Sequence, residues 1–595
     1  MKKSLKLSAL LLLFAAMVIT ACSGKQPVNT PVIVTQSSSI TIGESDVPDE
    51  SSFNADPGSE PVSEPRKKSN DIVILATSDV HCSPEKGFGY AGLYRIREKF
   101  KKEGCEVLLV DDGDEFEGHG EMFGTVTMGS QVIELMNKMG YDVAIPGNHD
   151  FAYGPDRFLW LTKKATYPYL SCNIYKNGKL FLKPYIIKEV NGKKIAFVGA
   201  TTPRTIGVYL SRSMFMNANA KVIYDFKNGD KGKKLNSVIQ SNVNAARAAG
   251  ADYVFLMSHI GQAKKYKSYE NITYVIENTS GIDAVLDGHS HDSKKFEVIN
   301  KEGKPVPRIA MGSKFSRIGY VRISADNGSI DTGIYSWGCS VSASELFGIK
   351  NEMSEEVDIA LQKYEDAYYG KTATLKFPLL VNDRLKKDED DKITRVIGKR
   401  ETNLGDFAAD AVRYSTGADI ALLPADKFGS SLAPGDLSQY SMYCVLPACK
   451  PIIVIEATGQ EIIDALEWSC RKYPSSYSGF LQVSGISFKI NTKIKHNVKK
   501  SKKGNFKRVA GKRRVTDVKI DGKKIELKKK YTVASYIRLL RTTEYGYTMF
   551  RKCKRTKSIT KLDFQMLNDY LTKKLKGSIP EKYRNPSGQK RITTA

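Results

Sequence analysis

The sequence predicts an α/β fold followed by a smaller α+β domain, and three observations lead to this prediction. Between residues 71 and 340, short apolar segments alternate with amphipathic segments of helical periodicity, which is typical of helices that cover a sheet. At 595 residues the chain is too long for one hydrophobic core, so two folded domains with tails are expected. Hydrophobic residues make up 41% and charged residues 26% of the chain, which is the composition of a soluble globular protein.

The first 22 residues resemble the signal peptide of a bacterial lipoprotein. Lys2, Lys3 and Lys6 precede the apolar residues 7–19, a stretch that is too short to span a membrane. Small residues then lead to Cys22, as in the lipobox, where the cysteine becomes lipidated. An ordinary secretory signal with a chance cysteine is the alternative. We therefore predict an extracytoplasmic protein that is lipid-anchored to the cell membrane through Cys22.

Residues 23–70 predict a disordered tether, because they are rich in Ser, Pro, Thr, Val and acidic residues and lack helical periodicity. A random coil of this length extends roughly 40 Å on average, so it would hold the body of the protein at that distance from its anchor. We expect the folded chain to begin with the apolar residues 72–76.

The first domain is predicted to cover residues 71–345. The expected elements are helices at 93–102, 129–139 and 236–249, and buried strands at 72–76, 107–110, 195–200, 253–257 and 284–286. Residues 353–369 are acidic and apolar at helical spacing. The segment 346–370 is therefore predicted to be a linker helix that joins the two domains.

The second domain is predicted to cover residues 371–575. The expected elements are helices at 404–415 and 459–470, and strands at 419–423, 482–490, 515–520 and 531–535. The remaining residues, 576–595, form a polar tail that we expect to fray.

The net charge of +26 is concentrated in one segment of the second domain. Residues 489–530 contain eighteen Lys or Arg residues and three acidic residues. Such a segment could contact a polyanion, such as anionic lipid, a cell-wall polymer or nucleic acid. The alternative is a solvated, lysine-rich loop between two strands, which we favour. The segment contains a single aromatic residue, Phe506. Because no aromatic interleaving marks a surface that stacks on bases, no specific nucleic-acid partner is expected.

Five polar motifs each follow a short apolar run, and they contain five of the 7 histidines. They are Asp79-Val80-His81, Asp111-Asp112-Gly113-Asp114, Gly147-Asn148-His149-Asp150, Ser258-His259-Ile260-Gly261 and Gly288-His289-Ser290-His291. Because sites in α/β sheets form at the carboxyl ends of strands, these motifs can converge. Carboxylate, imidazole and amide ligands suit Zn²⁺, Mn²⁺ or Fe²⁺, and six or seven ligands indicate two ions.

Each of these residues also has a structural interpretation when it is taken alone. Asp79 could cap the end of a strand, and His259 could be a core histidine with satisfied hydrogen bonds. The combination of all five motifs favours the metal site, and no CxxC pair indicates a thiolate zinc site instead.

The motifs resemble, in order and approximate spacing, those of the calcineurin-like metallophosphoesterases. With Ser258-His259-x-Gly261 and a second domain behind a linker helix, the chain is similar to the 5′-nucleotidase/UDP-sugar hydrolase family over roughly residues 71–575. The resemblance implies a four-layer α/β sandwich for the first domain.

The resemblance also implies roles for individual residues. Asp79, His81 and His291 would hold one ion, Asn148, His259 and His289 would hold the other, and Asp114 would bridge the two. His149 would contact the phosphate and stabilise the transition state, and Asn148 would also contact substrate. Two ions about 3.5–4 Å apart acidify a bridging water and clamp the phosphoryl oxygens for in-line attack.

The chain departs from the family pattern next to His149. Family members usually have an aspartate three residues after this histidine, which orients its ring, whereas this chain has Ala152. We therefore expect packing to orient the ring of His149. We do not expect the neighbouring Asp150 to replace the missing aspartate, because adjacent side chains rarely converge on one ring.

The second domain resembles the family's nucleotide-binding domain in residues 400–406, 434–436, 484–485 and 531–534. It departs where the family brings an arginine and a carboxylate to the substrate. Gly429 stands in place of the arginine and Tyr545 in place of the carboxylate. Arg400 is a candidate substrate contact, and a surface residue before a helix is the alternative.

The expected function is therefore that of an exported, lipid-anchored phosphoesterase that contains two divalent ions (Zn, Mn or Fe) and hydrolyses phosphate esters with a metal-bound hydroxide. A 5′-nucleotidase is the leading expectation. One alternative keeps the chemistry but changes the substrate to a sugar phosphate, a UDP-sugar, a cyclic nucleotide or another non-nucleotide ester. The other alternative is a surface binding protein with weakened catalysis. The complete set of metal ligands argues against it, because a pure binder does not need two metal sites.

Overall fold

The computed structural model describes residues 69–117, 122–263, 266–337, 350–385 and 393–595. The signal peptide, Cys22 and nearly all of the expected tether lie outside these ranges. Within them, no helix combines the length and the hydropathy that a membrane crossing requires.

The first half of the chain forms two large sheets that lie face to face. Its strands are β1 (Ile72–Thr77), β2 (Glu106–Asp111), β3 (Val143–Ala144), β4 (Tyr175–Lys176), β5 (Lys179–Leu180), β6 (Tyr185–Val190), β7 (Lys193–Thr201), β8 (Tyr224–Asp225), β9 (Tyr253–His259), β10 (Ala284–Asp287), β11 (Ser293–Ile299), β12 (Pro305–Met311), β13 (Arg317–Ile323) and β14 (Ile330–Ser336). One sheet has the order β14-β13-β1-β2-β3 and the other the order β11-β12-β10-β9-β7-β6. The polar motifs follow β1, β2 and β3 in one sheet and β9 and β10 in the other. Strand β2 is parallel to both β1 and β3, and β9 is parallel to β10.

Helices cover the outer faces of both sheets. They are α1 (Gly89–Lys102), α2 (Met122–Thr127), α3 (Ser130–Met139), α4 (Pro155–Thr162), α5 (Lys233–Ala248) and α6 (Ile272–Glu277). Strand β1 shows why the layers form, because Ile72 and Ile74 pack between the sheets while Val73 and Leu75 pack against α1 and α3. On the other sheet, α5 and α6 pack on the outer face. The predicted four-layer α/β sandwich is thus confirmed.

The linker region contains helix α7 (Glu352–Tyr369), which agrees with the helix predicted at 353–369. The side chain of Asn351 caps its first turn by accepting a hydrogen bond from the N–H of Ser354 at 3.0 Å. Met353 and Val357 pack into the core of the first domain, whereas Tyr368 packs into the core of the second. One helix therefore contributes to both cores.

The second half of the chain is built on a five-stranded and a four-stranded sheet, with the orders β19-β16-β25-β18-β26 and β24-β23-β20-β27. Its strands are β15 (Lys371–Leu375), β16 (Ile420–Pro424), β17 (Gly435–Ser438), β18 (Pro451–Thr458), β19 (Leu481–Ser484), β20 (Ile486–Ile490), β21 (Val498–Lys500), β22 (Phe506–Val509), β23 (Val515–Ile520), β24 (Lys523–Lys524), β25 (Lys530–Tyr536), β26 (Arg555–Leu562) and β27 (Ile592–Thr594). Its helices are α8 (Asn403–Thr416), α9 (Gln439–Val445), α10 (Gly459–Ser469), α11 (Ile537–Arg541) and α12 (Asp563–Asp569). This mixture of sheets and helices agrees with the predicted α+β domain.

The strand predicted at residues 482–490 is two strands that belong to different sheets. The break falls at Gly485, whose φ of +76° lies in the left-handed region that favours glycine. A Cβ atom at this position would also collide with the carbonyl oxygen of Asp419. The continuous apolar pattern concealed this change of sheet.

The expectation of a frayed tail was wrong. Strand β27 pairs in parallel with β20, and the side chain of Tyr583 is fully buried. Arg591 forms an ion pair with Asp410 at 2.8 Å, and the N–H of Ile592 donates to the carboxylate of Glu401 at 2.6 Å. Polar residues of the tail thus face the partly buried Asp410 on α8 and the buried Glu401 beside it, which the sequence alone did not reveal.

Candidate metal centre

The five polar motifs converge at the carboxyl ends of the strands that precede them. Asp79 and His81 follow β1, Asp114 follows β2, Asn148 and His149 follow β3, His259 ends β9, and His289 and His291 follow β10. Both sheets therefore contribute side chains to one region, as the sequence predicted.

Backbone strain is concentrated in this region. Five of the seven predicted metal ligands have a positive φ, namely Asp79 (53°), His81 (51°), Asp114 (64°), His289 (74°) and His291 (55°). Residues other than glycine adopt this conformation rarely, at a cost of the order of 1–3 kcal/mol each. Because strain of this kind persists mainly at functional sites, it supports a function for these loops.

Two groups of side chains have the geometry of metal sites. Asp79, His81 and His291 form one group, and Asp114, His259 and His289 form the other, each with candidate ligand atoms within 4.8 Å of one another. In the first group, Nε2 of His291 lies 3.2 Å from Oδ1 of Asp79 and 3.1 Å from Nε2 of His81. In the second, Nε2 of His259 lies 3.0 Å from Oδ2 of Asp114. The structure therefore has two candidate metal sites, divided as the family resemblance implies.

The chemistry of these contacts fits bound cations. Nδ1 of His81 must donate to the carbonyl oxygen of Glu117 at 2.8 Å, and Nδ1 of His259 must donate to that of Asp112 at 2.6 Å. In a neutral imidazole this leaves a lone pair on each Nε2. A lone pair that faces a carboxylate oxygen or a second imidazole nitrogen at about 3 Å is repulsive unless a proton or a metal ion lies between them.

The buried pair of Asp114 and His259 attracts positive charge. Burial lowers the pKa of His259, but the carboxylates of Asp114 and Asp79 have the larger effect together and raise this pKa well above its ordinary value. Burial raises the pKa of Asp114, but His259 and His149 have the larger effect together and hold this pKa well below its ordinary value. The pair thus binds a proton tightly when no other cation is present, and a divalent ion would compete for the same place.

Asn148 supplies a neutral oxygen to the same region. Its side chain is almost fully buried, and its Oδ1 atom has no hydrogen-bond partner in the part of the chain that the structure describes. A buried amide oxygen without a partner is unfavourable, which a metal ion would relieve. Its placement fits the ligand role that the resemblance implies.

His149 is oriented by a residue that the sequence interpretation missed. Nδ1 of His149 lies 2.5 Å from Oε2 of Glu117, so packing alone does not orient the ring. Burial lowers the pKa of His149, but the carboxylates of Asp114 and Glu117 have the larger effect and raise this pKa to about 9. The available signal was an acidic residue three positions after Asp114.

Asp150 has a structural role beside this ring. Its carboxylate accepts four main-chain hydrogen bonds between 2.7 and 3.0 Å, from Gly147, Asp114, Glu115 and Phe116. These bonds join the loop after β2 to the loop after β3. Asp150 therefore does not orient His149, in agreement with the sequence analysis.

His289 contacts two tyrosines that the sequence did not indicate. Its Nε2 atom lies 2.9 Å from the hydroxyl of Tyr209 and 3.3 Å from that of Tyr266, and the guanidinium of Arg204 lies 4.4 Å from the ring centre of Tyr266. Partners of this kind fix the orientation of a metal-binding imidazole. Because Tyr209 lies in a loop without a recognisable motif, no sequence signal could have found it.

The second domain places the predicted substrate residues in different settings. Arg400 is exposed, which leaves both of its sequence interpretations open. A Cβ atom at Gly429 would collide with the carbonyl oxygen of Cys444, so this position requires a glycine. Tyr545 has a φ of 53°, and its carbonyl oxygen accepts a hydrogen bond from Nε1 of Trp468 at 2.8 Å.

Two protein families match different parts of the chain. Residues 72–293 match the Calcineurin-like phosphoesterase family, and residues 385–552 match the 5'-nucleotidase, C-terminal domain family. The first match covers all five polar motifs. The second covers most of the second domain.

Several curated proteins are similar over most of this chain. The Trifunctional nucleotide phosphoesterase protein YfkN of Bacillus subtilis is 24% identical in an alignment of 477 positions that covers 72% of this chain and 30% of that protein. The 5'-nucleotidase of Rattus norvegicus is 23% identical over 71% of this chain and 75% of its own length. The 5'-nucleotidase of Vibrio parahaemolyticus is 25% identical over 67% of this chain and 73% of its own length.

Solved structures with a similar course of the chain include the 5'-nucleotidase precursor from Thermus thermophilus, with a TM-score of 0.43 and 20% identity over 88% of this chain and 99% of that one. The NAD nucleotidase of Haemophilus influenzae has a TM-score of 0.44 and 16% identity over 89% of this chain and 100% of that one. The two matches show that residues 72–293 belong to the calcineurin-like phosphoesterases and residues 385–552 to the 5'-nucleotidase C-terminal domains, so the protein is a hydrolase that acts on phosphate esters.

Proposed function

We propose that this hydrolase is an exported, lipid-anchored enzyme that releases phosphate from 5′-nucleotides and related phosphate esters with the help of two divalent ions. The observation that carries the proposal is the pair of ligand groups, Asp79 with His81 and His291, and Asp114 with His259 and His289. The relatives named 5'-nucleotidase support a nucleotide as substrate.

The residues fit two ions of the Zn²⁺, Mn²⁺ or Fe²⁺ type. Hard carboxylate oxygens combined with imidazole nitrogens suit these metals better than Ca²⁺ or a thiolate-bound zinc. Asp114 would bridge the two groups because a carboxylate has two oxygens, and Asn148 would add a neutral ligand to the group of His259. When bound, such ions lower the pKa of water and neutralise charge on phosphoryl oxygens.

His149 would act on the substrate directly. With Nδ1 of its ring facing Glu117, Nε2 would be the ring atom that donates a hydrogen bond to a phosphoryl oxygen. A protonated ring would meet the negative charge that grows on this oxygen in the transition state. The side chain of His149 is 22% exposed, so solvent reaches part of the ring while Glu117 contacts its Nδ1 edge.

The export part of the proposal depends on residues outside the described ranges. The lysines before the apolar residues 7–19 and the small residues before Cys22 support a lipid anchor in the cell membrane. The basic residues of 489–530 are mainly exposed around the hairpin of β21 and β22, which fits a solvated surface and also a contact with a polyanion.

Nucleotide specificity is the least constrained part of the proposal. Gly429 and Tyr545 replace the arginine and the carboxylate of the family pattern, which favours a broad range of esters, including sugar phosphates, UDP-sugars and cyclic nucleotides. A binding protein without catalysis remains the alternative of another class. The retention of both ligand groups and of the His149–Glu117 contact argues against it.

The test is metal analysis of the purified full-length protein in detergent, combined with turnover assays on nucleotides, sugar phosphates and phosphodiesters. We expect about two divalent ions per chain, loss of turnover with a chelator and recovery with Mn²⁺ or Zn²⁺. The matched control is His149→Ala, which should keep its metals and lose most turnover. Hydrolysis that resists the chelator, or metal-loaded protein that hydrolyses none of these esters, would contradict the proposal.

A further inference from the structure

Glu117 contacts two imidazole rings of the candidate site through different atoms. Its side-chain oxygen Oε2 lies 2.5 Å from Nδ1 of His149, and its main-chain carbonyl oxygen accepts a hydrogen bond at 2.8 Å from Nδ1 of His81. The two rings pack edge to face with their centres 5.1 Å apart. Glu117 therefore ties the ring of His149 to the ligand group that contains His81.

Two other carboxylates near His149 are engaged with the main chain. Both oxygens of Asp150 accept hydrogen bonds from main-chain N–H groups. Asp114 accepts a hydrogen bond from the main-chain N–H of His149, at 2.6 Å, and not from its ring. Ala152, where the family pattern has the orienting aspartate, offers only a methyl group.

We infer that Glu117 is the positioning residue for His149 and supplies, from the loop after β2, the carboxylate that position 152 lacks. The inference rests on the proposed function, in which His149 meets the phosphate. A carboxylate on Nδ1 fixes the tautomer and the orientation of an imidazole, and it stabilises the protonated ring. Glu117 follows β2, whereas position 152 follows β3, so this carboxylate reaches the ring from a different loop.

The first test removes the side-chain carboxylate of Glu117 and keeps the contact of its main-chain carbonyl with His81. In Glu117→Ala we expect kcat to fall about 100-fold with KM within about twofold, because the lost interaction acts mainly in the transition state. Glu117→Gln should lie between this variant and the wild type, since an amide oxygen still accepts from Nδ1 but carries no charge. Metal content should stay unchanged in both, because the carbonyl contact with His81 remains. The control is Glu134→Gln on α3, whose side chain is 57% exposed.

A double-mutant cycle shows whether Glu117 acts through His149. In a His149→Ala background, Glu117→Ala should cause no further loss of kcat, because the group that it positions is already absent. A further loss of similar size to that in the wild type would overturn the inference. It would show that Glu117 supports the site in another way.

Restoring the family pattern provides a rescue. Position 152 lies three residues after His149 in a helical turn, so a side chain there shares a face with the ring. Ala152→Asp added to Glu117→Ala should recover kcat to within about fivefold of the wild type. Ala152→Asp alone should change kcat little, because the ring is already held. Failure of the rescue together with a strong gain from Ala152→Asp alone would contradict the inference.

A readout that needs no turnover separates this inference from the proposed function. In ¹⁵N-histidine-labelled protein at about pH 10, where a ring with a pKa of about 9 is neutral, the ring signals of His149, assigned by their loss in His149→Ala, should report a proton on Nδ1 and none on Nε2 in the wild type. In Glu117→Ala they should report a mixture of tautomers. If the wild type hydrolyses no ester while this change occurs, the proposed function fails and the positioning role stands. An unchanged Nδ1 proton in Glu117→Ala would overturn the inference, whatever the activity.

Discussion

The guanidinium of Arg308 donates from Nε and Nη2 to the same carboxylate oxygen of Asp287, at 3.0 and 2.7 Å, and both side chains are fully buried. The other oxygen of Asp287 accepts hydrogen bonds from the hydroxyl of Ser258 at 2.7 Å and from the N–H of Gly261 at 3.1 Å. Because Ser258 precedes His259, this ion pair joins the loops that carry the imidazoles of the second sheet.

Replacement of Arg308 should destabilise the fold strongly. Arg308→Met leaves the carboxylate of Asp287 buried without its ion-pair partner, so we expect the free energy of unfolding to fall by about 3–5 kcal/mol. Urea denaturation of the variant and the wild type measures this change. The control is Arg322→Met, which breaks a partly exposed pair with Asp71 and should cost about 1 kcal/mol or less. Equal losses in the two variants would show that the buried ion pair contributes no more to the free energy of unfolding than the partly exposed one.

Metal retention should depend on Asp114 more than on His291. If Asp114 is shared by both ions, Asp114→Asn weakens both sites, whereas His291→Ala weakens one whose imidazole is already 39% exposed. We expect the first variant to retain fewer ions per chain and both to lose most activity. Elemental analysis after gel filtration provides the measurement. Normal metal content in Asp114→Asn would exclude a shared ligand.

The stability of the second domain should depend on pH through Asp563. Burial raises its pKa to about 7, above the value near 3.9 of an unfolded aspartate, so the folded state holds a proton between these pH values that the unfolded state has lost. The free energy of unfolding should therefore fall as the pH rises from about 4 to about 7. Since one pKa unit corresponds to about 1.4 kcal/mol, the effect is of the order of a few kcal/mol.

The matched variant for this pH effect is Asp563→Asn, which keeps an oxygen to accept from the N–H of Phe564. Its stability relative to the wild type should rise between pH 4 and pH 8, as measured by urea denaturation at each pH. A difference that is independent of pH would show that Asp563 is ionised in the folded protein at low pH.

Substrate discrimination should be shallow. Losing a pair of contacts to a base or a sugar typically removes a few kcal/mol of discrimination, so we expect kcat/KM to vary by less than about 100-fold among AMP, GMP, CMP and a simple sugar phosphate. Gly429→Arg should not restore selectivity, because a side chain there would collide with the carbonyl oxygen of Cys444. A preference for AMP of several thousandfold would mean that other residues have rebuilt the pocket.

Membrane attachment should require Cys22. Cys22→Ser should abolish metabolic labelling with a fatty acid and release the protein from the membrane fraction, as tested by labelling and by fractionation. The change should leave kcat unaffected, because it lies far along the chain from the candidate site. Persistent labelling in this variant would refute the lipoprotein prediction.

The sequence predicted some elements of the fold to within a residue and missed others. Residues 515–520 were predicted as a strand with the bounds that β23 has, and the helix at 404–415 differs from α8 by one residue at each end. Strands β11 to β14 were not predicted. Strand β11 shows the reason, because most of its side chains are exposed and its apolar pattern is weak.

The candidate site was predicted from motifs, and its supporting contacts were not. The ligand residues lie in short motifs that directly follow apolar strands. The sequence therefore predicted both their metal-binding chemistry and their position at the carboxyl ends of the strands. The contacts from Glu117 to His149 and from Tyr209 to His289 join residues on different loops. Such contacts depend on how loops approach each other in space, which local periodicity does not encode.

The docking of Arg591 and β27 onto the second domain has a consequence for the order in which the chain matures. During synthesis, α8 leaves the ribosome long before residue 591. The carboxylates of Asp410 and Glu401 can therefore form their contacts with Arg591 and Ile592 only later. The second domain therefore reaches its final state only after almost its whole length has emerged.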